Sequence, residues 1–173
     1  MQAQIALTLH APISMLEKTP AILGTLLRDL SAELLQWKPA PERWSIAEVM
    51  EHLVVIEQLY ETRVRRIINE NSPTLTKYVA SEQSSVRKKS TEEYLEEFVA
   101  LRRAFVFFLH AVPSAVGSRT AEHPVLGMIN LSEMLHELAN HDLGHLRQIA
   151  ELYRAYAFYP YAGPFQRYSR PQP

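Results

Sequence analysis

Apolar residues recur at helical spacing in four separate stretches of this chain. Leu23, Leu26, Leu27, Leu30 and Leu34 stand three or four apart, which places them on one face of a helix. Thr19-Pro20 ahead of them reads as an N-cap followed by proline at the first helical position. The spacing therefore predicts a first helix over 20–35, with a further turn around 13–17, broken afterwards by Pro39 and Pro41. Ser45-Ile46-Ala47-Glu48 is a capping box, in which the serine oxygen and the glutamate each satisfy a free backbone N–H. It opens a second helix with Val49, His52, Ile56 and Leu59 on one stripe, running to about 69, where Asn71-Ser72-Pro73 stops it.

Ser90-Thr91-Glu92-Glu93 repeats the capping box, and Tyr94, Phe98, Leu101, Phe105 and Phe108 form the predicted apolar face of helix three, which ends before Pro113. Asn130, with Glu133 three residues on, caps helix four. Its inner stripe reads Leu131, Met134, Leu138, His141, His145, Gln148 and Leu152. The connections over 71–89 and 111–130 are predicted to be irregular and long enough to carry function. The tail from Phe158 is rich in Tyr and Pro and is expected not to be helical.

Four amphipathic helices with only five glycines make an all-α four-helix bundle the natural solution. We expect one domain over 1–173, with a core of about 16–154 and a tail over 158–173. Periodicity permits either simple up-down or crossover connections.

Composition adds mainly exclusions. A formal charge of −1 carries no nucleic-acid signature. The short run Arg87-Lys88-Lys89 reads as a solvated approach to helix three rather than an anion site. The chain has no cysteine, so it has no disulfide, thiolate ligand or cysteine nucleophile. With no basic residue before Lys18, no signal peptide is expected. The longest apolar run, around 104–109, is too short to span a bilayer, and a soluble cytoplasmic protein without a membrane partner is expected.

The chemistry lies in the histidines. His141 and His145 are one helical turn apart and face within about 40° of each other, both on the inner stripe. Imidazoles buried among leucines need partners for two ring nitrogens each, and a metal ion supplies one. His52 also sits on an apolar stripe. Packing the two helices together would converge three neutral nitrogens on a divalent metal and leave a position open. The alternative is three histidines bonded to water or protein.

Two other metal patterns fail. Zinc proteases need Glu after the first His, where this chain has Asp142. Di-iron bundles need two Glu-x-x-His motifs, and Glu133-Met134-Leu135-His136 has no second copy. Among the neighbours, Gln148 is a candidate for positioning substrate or water, and Glu48 for orienting His52, although capping already explains Glu48. Gly144 is expected to admit a close neighbour, and Trp44 to staple the start of helix two. His136 faces away from the pair, His110 complements a helix C-terminus, and His10 and His123 fall in irregular segments.

Trp44-Ser45-Ile46-Ala47-Glu48 leading to His52-Leu53 resembles the start of helix two in the DinB superfamily. His123-Pro124-Val125-Leu126-Gly127, then a helix carrying His141, His145, Gln148 and Ile149, resembles its loop and final helix. The resemblance covers roughly 16–154. It implies a four-helix bundle of DinB/YfiT-like type with a long crossover connection, a homodimer, and one divalent ion, zinc or nickel, held by His52, His141 and His145. It also implies thiol-dependent S-transferase chemistry. Known members use bacillithiol or mycothiol, and one is a mycothiol-dependent maleylpyruvate isomerase. The partners would be a small-molecule thiol and an electrophilic cosubstrate, with the loops at 71–89 and 111–130 setting substrate choice. Arg147 stands where many relatives carry a small residue, which bears on the shape of the pocket. The alternatives are a hydrolase using metal-activated water and a non-enzymatic, metal-stapled dimeric binding protein.

Overall fold

The structure, a computed structural model, describes residues 9–77 and 89–173. Five α-helices and one hairpin follow in order: α1 His10–Leu27, α2 Ala32–Gln36, α3 Ile46–Asn69, α4 Thr91–His110, β1 Thr120–His123, β2 Gly127–Asn130 and α5 Leu131–Tyr153. Helices α3, α4 and α5 begin at the expected caps. Ser45, Ser90 and Asn130 each accept from the backbone of a glutamate that reaches back to the cap N–H. This exchange spans three residues, so local sequence suffices to specify it.

The first helix departs from expectation. It starts at His10, and Pro20 lies inside it. Proline cannot donate to the carbonyl four residues back, here Leu16. The Leu16 carbonyl instead accepts from Arg102 Nη1 on α4 at 3.1 Å. A tertiary contact thus fills the gap that made 20 look like a helix start. Thr19, read as a cap, is fully buried in mid-helix. Nor does the helix continue to 35. Asp29 adopts a left-handed conformation (φ 59°), and Ser31 caps the separate short α2.

Leu9, Ile13 and Leu16 of the first segment pack with the later part of α3, the later part of α4 and the early part of α5. Leu23 packs with the beginnings of α3 and α4 and the end of α5. Helices α1 and α5 therefore run one way, and α3 and α4 the other. Close packing pairs α1 with α4 and α5, and α3 with α4 and α5. Successive bundle helices α1 and α3, and α4 and α5, thus stand diagonally. Helices α3 and α4 are thus parallel neighbours, the arrangement that goes with a long crossover connection; residues 78–88 between them, including Arg87 and Lys88, lie outside the described residues.

The connection before α5 is more ordered than its composition suggests. After a short 3-10 turn, β1 and β2 pair antiparallel with Thr120 opposite Asn130, and Gly127 takes the positive φ of the turn. His123 Nδ1 accepts from the backbone N–H groups of Val125 and Leu126. Thr74 bridges alongside Glu122. Beyond α5 the tail makes a π-helical turn and two 3-10 turns, Tyr159–Tyr161 and Gly163–Arg167, rather than wholly irregular chain. No helix among the described residues is long and apolar enough to cross a membrane.

Candidate metal centre

Between the two apolar halves of the bundle lies a polar waist. His52 on α3 meets His141 and His145 on α5. The Nε2 of His141 is 3.1 Å from the Nε2 of His52 and 3.1 Å from that of His145. His52 is 8% exposed and the other two are half-buried. Burial first, then the charges of the neighbouring imidazoles, lowers His52 to about 3 and His141 to about 4. Burial also holds His145 below the ordinary histidine value, against its hydrogen bond to Gln148. All three rings are therefore neutral near pH 7, the form that ligates a metal.

The donor set fits a cation. The three residues form the one group among those described whose ligand atoms converge for a metal ion. Zinc–nitrogen bonds of about 2.0–2.1 Å place tetrahedral ligand nitrogens about 3.3 Å apart, close to the two 3.1 Å spacings at His141, and all three ligand atoms lie within 4.8 Å of one another. His145 Nδ1 lies 2.8 Å from Gln148 Oε1, an acceptor, so Nδ1 carries the hydrogen and Nε2 presents its lone pair inward. His141 Nδ1 is enclosed without a partner among the described residues, so Nε2 is the nitrogen through which that ring makes its polar contacts there. With all three rings in the tautomer that His145 adopts, a divalent ion would accept their three Nε2 lone pairs at once.

Gln148 therefore orients His145 through its amide oxygen. Trp44 does more than staple a helix: its ring centroid is 4.8 Å from that of His52, and it lies parallel to His145 at 6.1 Å, walling one side of the site. Glu48 stays in its capping box and pairs with Lys38. A Cβ on Gly144 would meet open space, so the expected close neighbour is not there. Arg147 is exposed, as are His136 and His110; the last lies 2.6 Å from Glu17.

Beside the triad sits a cluster that periodicity did not reveal. Arg102, 1% exposed, pairs through two nitrogens with Glu57 at 2.7 Å each. It also contacts Asp142 Oδ2 at 2.5 Å, and Thr19 donates to the same carboxylate at 2.7 Å. One guanidinium thus ties four helices. Asp142, next to His141 in sequence, points away from the triad into this network, so it cannot serve as a protease-like base. The face of α4 is accordingly turned from the expected one: Arg102 and Leu109 are buried, while Leu101 and Phe108 are half-buried. The signal was available as a charge in an apolar stripe, with Arg102 four residues after Phe98 and three before Phe105.

A crossover bundle with three histidines at its waist defines a class. Residues 15–149 match the sequence profile of the DinB superfamily, and the chain belongs to it. It is 26% identical over 141 residues, covering 73% of this chain and 87% of the relative, to the uncharacterized protein YuaE of Bacillus subtilis (strain 168). Its fold is similar to that of YfiT from Bacillus subtilis, described as a probable metal-dependent hydrolase with an unusual four-helix bundle topology. The TM-score is 0.78 at 21% identity, over 84% of this chain and 86% of that one.

Proposed function

We propose that this protein is a divalent-metal-dependent enzyme that activates a small-molecule thiol at His52, His141 and His145 for transfer to an electrophilic cosubstrate. The supporting observation is the convergence of three neutral imidazole nitrogens on one point. When bound, zinc or nickel would supply a Lewis-acid charge undiminished by neutral ligands, lowering the pKa of a nucleophile.

The chain's own residues favour a thiol over water as that nucleophile. Asp142 is the described carboxylate whose charge bears on His141 and His145, and Arg102 and Thr19 occupy it. Among the described residues no other carboxylate bears on the triad to act as a general base. A thiol, with an ordinary pKa of about 8.5, needs far less help than water at about 15.7. Gln148 holds His145 in the ligating tautomer, and Trp44 keeps water from one side. The thiol loses its S–H proton to solvent, its sulfur forms a C–S bond to the electrophilic carbon, and the bond from that carbon to the leaving group breaks, the group departing with the electron pair. A homodimer, which rests on the family, and a cytoplasmic location, which rests on the cysteine-free composition, belong to the same reading.

The test is metal content by elemental mass spectrometry on tag-free protein beside His145→Ala, with thiol consumption followed against 1-chloro-2,4-dinitrobenzene. We expect near-stoichiometric metal and turnover in the parent and neither in the variant. Turnover surviving in metal-free His145→Ala would overturn the reading. The description of YfiT favours a second reading, hydrolysis. Thiol-independent cleavage of p-nitrophenyl acetate that requires the metal would select it.

A further inference from the structure

Helices α3 and α5 leave a cavity of about 410 Å³ between them and the β1–β2 hairpin. Tyr60, eight residues after His52, and Glu137, four before His141, place its nearer wall roughly 6–12 Å along the helices from the triad. Its one permanent cation is Arg63. This side chain is 5% exposed, yet it makes no ion pair among the described residues. Its Nη2 donates to the Thr76 carbonyl at 2.7 Å, and its Nε is enclosed without a partner among the described residues.

The chain satisfies its other deeply buried arginine, Arg102, with two carboxylates. An under-satisfied buried guanidinium is costly, and a cation kept in that state at a cavity wall suits an incoming anion. The rest of the lining defines which anion. Met128, Ile129 and Met134 offer an apolar body, and Met128 is 60% exposed with no protein covering it. Glu133 and Glu137 line the cavity from α5 and would repel a multiply charged ligand. Glu133 is already held in the cap of Asn130. The volume falls in the ordinary range of small-molecule sites.

We propose that this cavity binds a small apolar monocarboxylate, with Arg63 as the anchor for its single negative charge. The inference does not depend on the triad's holding a metal.

The test is isothermal titration of the full chain with butyrate, hexanoate and 4-phenylbutyrate, repeated with 4-phenylbutyramide and with inorganic phosphate as competitor. Saturable binding should tighten along the carboxylate series. Replacing the carboxylate by the amide should weaken it about ten-fold or more, and phosphate should not compete. His145→Ala should bind as the parent does. Arg63→Gln and Arg63→Met should each lose about ten-fold or more in affinity, with thermal midpoints no lower than the parent's. No saturable binding by any of the three acids would overturn the proposal. So would phosphate competing on equal terms, unchanged affinity in Arg63→Met, or midpoints lowered by more than about 5 °C in both variants, which would make Arg63 a structural residue.

Discussion

His141 and Asp142 are consecutive on α5, yet they belong to two polar clusters that are completed in different ways. Asp142 closes a network in which Arg102, Glu57, Thr19 and the Leu16 carbonyl satisfy one another inside the protein. His141 joins two other imidazoles whose inward nitrogens have mainly each other. The first cluster needs nothing from outside and serves the fold. The second gathers ligand atoms that could hold a metal ion. A buried polar group is therefore informative about function according to whether its partners are already supplied.

The largest expected effect tests the closed cluster. Arg102→Met leaves two buried carboxylates facing each other and should cost about 3–5 kcal/mol in urea unfolding. Adding Glu57→Leu and Asp142→Leu should recover most of that loss, because a buried pair removed whole leaves no orphan charge. A single variant as stable as the parent would show that the network is not closed as described.

The open cluster should behave in the opposite way. Stripping metal from protein held at about 100-fold above its dissociation constant should remove about 2.7 kcal/mol and lower the thermal midpoint by about 5–10 °C. In His141→Ala, chelator should leave the midpoint unmoved. Equal shifts in parent and variant would place the metal elsewhere.

Thr19→Val sharpens the contrast within the closed cluster. It removes the hydroxyl donor to Asp142 and should cost about 1.5 kcal/mol, while metal content by mass spectrometry stays that of the parent. The smallest effect concerns Glu48. Burial pushes its carboxyl up, but the Ser45 backbone N–H and Lys38 outweigh that and hold it below 4.5. A carboxyl depressed on folding stabilises above its unfolded value, and the contribution is lost as pH falls through the folded one. Glu48→Gln should therefore cost about 1 kcal/mol at pH 7, and the difference between the two thermal midpoints should shrink on acidification to about pH 3.

What was legible in the sequence was what closes over a few residues. The caps at Ser45, Ser90 and Asn130 depend on a partner three positions away, and the pairing of His141 with His145 on a partner four positions away. The stripes of α3 and α5 follow from helical period alone, and they carried His52, His141 and His145 to the inside. Interactions between distant segments were not legible. Pro20 continues a helix because Arg102 reaches across to Leu16. Asp142 turns from the metal site because the same guanidinium draws it inward. The 111–130 connection holds a hairpin because Pro73 and Leu75 bond to Glu122 alongside it.

The sequence by itself determined where α3, α4 and α5 begin, the apolar stripes of α3 and α5 and the three histidines on them, because periodicity and capping are local. The tertiary structure decided which helices are parallel neighbours, which buried charges are answered from within, and where a cavity remains. Those outcomes depend on side chains 40 to 123 positions apart, and on the low-dielectric interior that makes each buried polar atom seek a partner.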